Sequence, residues 1–291
     1  MSELVSSVIA DVARRIESVC LSADHAYQCA MILIEAVTGL SRAALLAREH
    51  LSLTDDERKR LHDFIHRLVV EHEPLAYIVG FVPFLGLTIL TESPILIPRP
   101  ETEWWVATLC DNWRSKKDDA IRILDLCTGS GCISLALAHY FSHSMVVAVD
   151  NSPDALALVE RNAEKNNIKN VTFVLSDLFE KVSDYRPFDI ITANPPYVSE
   201  SEFAELDPSV RLWEDKYALV AQDEGFALVD RIIREAPPFV RKNVNSLPQL
   251  WVELGARHGK RALAVCDEVG WRLPTVLEDL TGRDRVITAL L

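Results

Sequence analysis

Five short, almost continuously apolar segments recur through the chain from Ile121 onward: Ile121–Leu126, Met145–Val149, Val171–Leu175, Phe188–Ala193 and Leu250–Leu254. Segments of that length and character are strands buried on both faces. Between them lie stretches with helical spacing, at Cys132–Tyr140, Pro153–Asn166, Gly225–Glu235 and Lys260–Val269. Strands alternating with helices form a parallel sheet covered on both sides. The end of the chain breaks that rhythm. Pro274–Leu280 and Arg285–Leu290 flank the turn signal Thr281-Gly282-Arg283-Asp284, so the last two strands are expected to pair antiparallel. The fold class that follows is α/β: a doubly wound, mostly parallel sheet with an antiparallel C-terminal hairpin.

From Val5 to about His72 the spacing is helical throughout. Leu61, Phe64, Ile65, Leu68 and Val69 make one apolar stripe, preceded by the helix-start signal Thr54-Asp55-Asp56-Glu57. Met31, Ile32, Ile34 and Val37 belong to an earlier helix that ends near Gly39. A small bundle of four or five short helices is expected over residues 1–73. Pro74 is expected to end it. Residues 74–97, rich in β-branched and aromatic side chains and punctuated by Gly80, Pro83, Gly86 and Pro94, read as a β-hairpin linker. That leaves 98–291 for the sheet domain.

Composition narrows the function classes. Of 291 residues 49% are apolar and 25% charged, enough to bury a substantial core, and no apolar run reaches the roughly 18–20 residues that cross a bilayer. The segment Met1–Cys20 mixes Glu3, Asp11 and Glu17 with Arg14 and Arg15, unlike a signal or transit peptide, so a cytoplasmic location without membrane contact is expected. Six cysteines without a C-x-x-C pair read as free thiols in a reducing compartment. The net charge of −13 argues against a broad nucleic-acid footprint, although a local basic groove stays open because net charge says nothing about distribution.

In a doubly wound sheet, ligands bind at the carboxyl ends of the strands, where the strand order reverses. Four strand ends here carry polar signatures. The first strand runs into Asp125-Leu-Cys-Thr-Gly129-Ser-Gly131, which lets the backbone approach a ligand closely. It is not a dinucleotide fingerprint, since position 134 is serine, and it suits an amino-acid moiety with a sugar. The second ends in Asp150, a carboxylate able to accept from ribose hydroxyls. Its alternative role as a helix cap, suggested by Ser152-Pro153, is outweighed by the glycine loop before it. The third is followed by Ser176-Asp177, where the acid can take an adenine amino group while Leu178 and Phe179 pack on the ring, or serve as an ordinary turn residue.

The fourth strand ends in Asn194-Pro195-Pro196-Tyr197, the strongest signal in the chain. A planar amide or aniline-like nitrogen is a poor nucleophile because its lone pair is delocalised. The Asn194 side-chain carbonyl and the Pro195 backbone carbonyl can accept its two hydrogens and turn the nitrogen toward a methyl sulfonium. Proline stiffens this backbone and offers no competing N–H. Tyr197 adds a flat surface for a planar target. Orientation of this kind supplies up to about 7–11 kcal/mol in favourable cases.

At these residues the chain resembles the class I methyltransferases, which have a Rossmann-like fold, and more closely the release-factor glutamine methyltransferases (the HemK/PrmC family). The likeness extends to Glu73-Pro74-Leu75-Ala76-Tyr77-Ile78-Val79-Gly80, to Ile97-Pro98-Arg99-Pro100-Glu101-Thr102-Glu103, and to Ala218-Leu219 after Arg211. The Ile97–Glu103 stretch is more specific than the Asn194 motif, which DNA adenine and RNA guanine amino-methyltransferases share. The resemblance implies S-adenosylmethionine as methyl donor, S-adenosylhomocysteine as product and no metal. It implies a five-helix N-terminal domain for substrate recognition, and N5-methylation of the glutamine in the Gly-Gly-Gln motif of class 1 peptide-chain release factors. Cys127, Thr128, Gly129, Ser130 and Gly131 would line the methionine part of the cofactor, Asp150 would hold the ribose, and Asp177 and Leu178 would meet adenine. Asn194, Pro195, Pro196 and Tyr197 would hold the glutamine, with Asn194 also beside the cofactor, and Arg99 would close over the site. A monomer that pairs with its substrate is the expectation.

Three departures from the family pattern stand out. Cys127 replaces a glycine, Arg241–Pro248 lacks a Gly-Gly turn, and Trp213-Glu214-Asp215 carries an acid where proline is common. Other signals carry less. His62 and His66, like His139 and His143, lie four apart, but no glutamate follows the first of either pair and no third metal ligand is evident. Asp55-Asp56-Glu57 reads as helix-start chemistry, and Cys127 lacks a paired histidine that would make it a nucleophile. Two competing functions remain: methylation of an adenine or guanine amino group in DNA or RNA, and an inactive cofactor-binding interaction module.

Overall fold

The computed structural model describes residues 3–242 and 247–291, so part of the Arg241–Pro248 stretch lies outside the described residues. Two compact units emerge: Met1–Gly80 with Asp207–Trp213, and Phe81–Leu206 with Glu214–Leu291.

The first unit is helical. A two-residue strand β1 (Glu3–Leu4) leads into α1 (Val5–Ile16), α2 (Ala23–Thr38) and α3 (Arg42–Leu46). Then β2 (His50–Leu51), antiparallel to β1, precedes α4 (Asp55–Val69) and α5 (Leu75–Val79). The Thr54 signal forms a full capping box with Glu57, and Gly39 ends α2 in the left-handed region. Ile9, Ile16, Leu33, Ile34 and Leu45 are buried in one core. One expectation is corrected: Pro74 does not end the helices. It caps α5, whose Ile78 is buried in the same core, so apolar burial draws residues 75–79 into a helical turn rather than a strand.

The second unit opens with a hairpin of β3 (Phe81–Phe84) and β4 (Leu87–Leu90), followed by α6 (Pro100–Asn112). Pro100 takes a first-turn position where no N–H is needed, and Glu101 and Glu103 complement the helix N-terminus. Then come β5 (Arg122–Leu126), α7 (Cys132–Tyr140), β6 (Met145–Asp150), α8 (Pro153–Lys165), β7 (Val171–Leu175) and β8 (Ile190–Ala193). After two short helical turns at Glu200–Glu205 and Lys216–Leu219 follow α9 (Ala227–Glu235), β9 (Leu250–Glu253), α10 (Gly259–Val269), β10 (Arg272–Glu278) and β11 (Asp284–Leu290).

Strand order in the sheet is β10-β11-β9-β8-β5-β6-β7, parallel from β9 to β7, with β11 antiparallel to both β9 and β10. The terminal hairpin thus inserts its second strand beside β9. The two faces are covered by separate apolar clusters, one holding Leu124, Val147 and Ile191, the other Ile123, Val146 and Ile190. Their alternation is the period of two that a strand imposes. Chain order runs outward from β5 to β7 on one side and from β8 to β9 on the other, so the reversal falls between β5 and β8.

Candidate active site

The carboxyl ends of β5, β6, β7 and β8 open into one cavity. Cys127 and Gly129 face it from β5, Asp150 from β6, Asp177 and Leu178 from β7, and Asn194 and Pro196 from β8. Ile95 and Leu96 form a wall with Tyr217 and Ala218. The backbone N–H of Asp215 donates to the Pro94 carbonyl at 2.7 Å and ties these two wall segments together.

The loop after β5 divides its residues between cavity and core. Gly129 adopts φ +53° with open space where a side chain would stand. Gly131, at φ +80°, serves packing: an added Cβ would lie 2.1 Å from Val159 of α8. Thr128 and Ser130 are buried rather than on the cavity wall. The Thr128 hydroxyl donates to Asp125 at 2.7 Å, and Asn162 Nδ2 donates to the Ser130 carbonyl at 2.8 Å. Asp125 also accepts from Thr192 at 2.8 Å, and its complete burial pushes its pKa up to about 6. Cys127 holds φ +56°, a conformation glycine adopts freely, and burial keeps its thiol protonated.

Asp150 accepts from the Gly129 and Ser152 backbone N–H groups, both at 2.9 Å, which fixes the carboxylate at the cavity edge. Helix α8 is capped by Ser152 instead, through Ala155 N–H. Burial raises the Asp150 pKa, opposed by those two hydrogen bonds. Asp177 takes a two-oxygen contact from Arg231 of α9 at 2.9 Å, and lone pairs remain for a further donor.

Around Asn194 the contacts come from distant parts of the chain. Asn194 Nδ2 donates to the Thr102 hydroxyl at 3.3 Å, and Thr102 donates to Glu253 Oε2 at 2.6 Å. Trp105 Nε1 reaches the same oxygen at 2.8 Å, while the Tyr197 hydroxyl donates to Oε1 at 3.0 Å. Glu253 is fully buried, which raises its pKa, opposed by these donors and by the Arg285 charge. Burial and Glu253 likewise raise the Tyr197 phenol, so it stays a donor. Gly225 accommodates the Tyr197 carbonyl, which would stand 2.1 Å from any Cβ there. Pro195 and Tyr197 border this arrangement without lining the cavity.

Arg99 also stands off the cavity lining. Its guanidinium reaches both oxygens of Glu214, at 2.6 and 2.7 Å, and the Glu214 side chain is fully buried. The acid that departs from the family pattern is therefore the partner of Arg99. Sequence reading gave no individual role to Asp125, Thr102 or Glu214, which it quoted only within longer motifs, and did not single out Glu253 or Arg231. For two of them a signal existed: Asp125 and Glu253 interrupt otherwise apolar strands, and a charge placed there must find donors.

Among the described residues, one group of metal-capable side chains comes together, Cys20, His25 and Cys29 in the helical unit. Burial pushes the Cys29 thiol up to about 12 and raises Cys20 as well, so both are protonated. No helix among the described residues is long and apolar enough to cross a membrane.

Residues 11–80 match the PrmC N-terminal domain, and residues 107–210 match the methyltransferase small domain. Release factor glutamine methyltransferase of Lactococcus lactis is 36% identical over 81% of this chain and 84% of its own length. The enzyme of that name from Salmonella typhimurium is 37% identical over 88% of this chain and 89% of its own. That from Bacillus subtilis is 34% identical, covering 90% of each. Among solved structures, the hMettl16 catalytic domain in complex with an RNA hairpin superposes with a TM-score of 0.50 at 19% identity, over 82% of each chain. That likeness is one of fold alone. The combination of a methyltransferase sheet, four polar strand ends in one cavity and relatives above 30% identity over 81–90% of the chain places this chain in the release factor glutamine methyltransferase family.

Proposed function

We propose that the chain methylates the N5 side-chain nitrogen of the glutamine in the Gly-Gly-Gln motif of class 1 peptide-chain release factors. S-adenosylmethionine, when bound, supplies the electrophilic methyl group. The cavity suits it: Asp150 presents a fixed carboxylate for ribose hydroxyls, Gly129 leaves room at the loop, and Leu178 offers an apolar surface next to Asp177 for adenine. S-adenosylhomocysteine would leave from the same residues.

The observation that carries the reading is the placement of Asn194 at this cavity with its amide nitrogen already engaged by Thr102. Its carbonyl oxygen is left to accept one N–H of the substrate amide, and the Pro195 carbonyl accepts the other. Two acceptors hold the amide plane so that its nitrogen faces the cofactor side. Tyr197, anchored through its hydroxyl, supports that position. None of these groups needs to remove a proton before transfer; afterwards the nitrogen is cationic and acidic enough to lose its proton to water.

The helical unit, Met1–Gly80 with Asp207–Trp213, is proposed to help recognise the release factor, and the sheet unit, which includes the hairpin from Phe81, to carry catalysis. A monomer acting in the cytoplasm, without metal, fits this substrate. The test is transfer of labelled methyl from S-adenosylmethionine to a purified class 1 release factor. Label is expected on the wild-type factor and absent when its acceptor glutamine is alanine. Label that persists in that variant would refute the assignment.

A further inference from the structure

We infer that Thr102 and Glu253 are positioning residues that dictate which way round the Asn194 amide stands, and that Glu253 sets the Tyr197 ring through the same carboxylate. The inference rests on the proposed role of Asn194 and adds how that role is enforced.

A hydroxyl owns one proton. Thr102 gives its proton to Glu253 Oε2 at 2.6 Å, the oxygen that also accepts from the Trp105 indole, a group that can only donate. With its proton committed, the Thr102 oxygen turns lone pairs toward Asn194, 3.3 Å away. An amide oxygen there would face those lone pairs; an amide nitrogen donates to them. The nitrogen is therefore held inward and Oδ1 is directed away from Thr102, as an acceptor for the substrate N–H. The reverse orientation would present an NH2 to another NH2, which repels the substrate. Through its second oxygen the carboxylate accepts from the Tyr197 hydroxyl at 3.0 Å. One buried acceptor thus holds both ends of the Asn194–Tyr197 segment. It also explains why a threonine stands in the first turn of α6 and a glutamate ends an apolar strand.

The test uses Thr102→Val, which keeps the shape and removes the hydroxyl, Thr102→Ser, which restores it, and Glu253→Gln. The glutamine can turn its NH2 toward Thr102 and leave the network without a single sense. Release-factor methylation at saturating substrates and cofactor affinity by calorimetry are read together. Thr102→Val should lower kcat about tenfold, the worth of one hydrogen bond, and Thr102→Ser should recover it to within about twofold. Cofactor affinity should stay within about threefold of wild type in all three, well below the loss of a charge-assisted hydrogen bond. Glu253→Gln should lower kcat in the same sense and reads the network independently if valine disturbs the packing at Thr102. Equal losses in Thr102→Val and Thr102→Ser would mean packing rather than the hydroxyl, and would overturn the inference. Wild-type kcat in both Thr102→Val and Glu253→Gln would overturn it too, provided Asn194→Ala is inactive. An active Asn194→Ala would instead refute the reading beneath it.

Discussion

Asp125 and Glu253 are both buried carboxylates in strands of one sheet, and both are held by hydroxyl donors, yet they organise different halves of the site. Asp125 lies beneath the glycine loop and binds Thr128, three residues on, and Thr192 of the neighbouring strand. Glu253 lies beneath the Asn194 segment and binds Thr102, Trp105 and Tyr197, which are 151, 148 and 56 positions away. The first carboxylate freezes a local loop on the cofactor side. The second assembles α6, β9 and the end of β8 on the acceptor side. Damage near Asp125 should therefore appear in cofactor affinity and stability, and damage near Glu253 in turnover.

The largest expected effect sharpens the acceptor side. Asn194→Ala should lower kcat for release-factor methylation about a hundredfold to a thousandfold, as loss of a fixed polar group at a reaction centre does. Cofactor affinity by calorimetry should change far less; a parallel collapse of both would erase the distinction between the halves.

Next, Gly131→Ala should destabilise the fold by about 2–3 kcal/mol in urea unfolding, because the methyl meets Val159 while the backbone holds φ +80°. Gly129→Ala, with open space at that Cβ position, should cost less, leaving only the left-handed backbone penalty of about 1 kcal/mol. Equal costs would mean that packing against α8 does not shape the loop.

A smaller loss is expected on the cofactor side. Asp150→Ala removes charge-assisted bonds worth about 1.5–3 kcal/mol, so S-adenosylmethionine should bind about ten- to a hundredfold more weakly. At saturating cofactor, kcat should be retained; its loss would place Asp150 in the acceptor half.

The smallest effect is a pH dependence. The Asp125 pKa is raised from 3.8 to about 6 in the folded chain, so the unfolded chain releases this proton first as pH rises. The stability it contributes is present below 3.8 and is lost as pH rises through about 6. Burial raises Asp150, Glu214 and Glu253 in the same sense. Lowering pH from 7 to 5 should therefore increase the unfolding free energy, with about 1–1.5 kcal/mol of the gain due to Asp125. That share should vanish in Asp125→Asn, as read by urea titrations at the two pH values.

The comparison also separates what was legible in the sequence from what was not. Cys132–Tyr140 was readable to the residue because a buried helix imposes an unbroken apolar pattern. Val171–Leu175 was readable because its β-branched and aromatic run is bounded by polar residues, although as the edge strand it is only half-buried and was expected to be covered on both faces. The strand-end residues Asp150 and Asn194 were readable for the same reason, since their place follows from where each apolar run stops. Helix α6 received no reading from the sequence, although Trp105, Val106 and Leu109 lie on its buried face. Leu75–Val79 was read as extended when tertiary burial of Ile78 favours a helical turn. The contacts of Glu253 and the Arg99–Glu214 pair join residues scattered along the chain, and no local spacing encodes such partnerships. Arg99, which the resemblance alone placed over the site, is held in an ion pair with Glu214.

The central claim, that the Asn194 segment orients a glutamine amide, is tested most directly by tandem mass spectrometry of a class 1 release factor after incubation with this chain and S-adenosylmethionine. DNA and RNA are included in the same reaction. The account predicts a single methyl group on the side-chain nitrogen of the glutamine in the Gly-Gly-Gln peptide, with both nucleic acids unmodified. A methyl group on another residue, or on an adenine or guanine amino group, would contradict it.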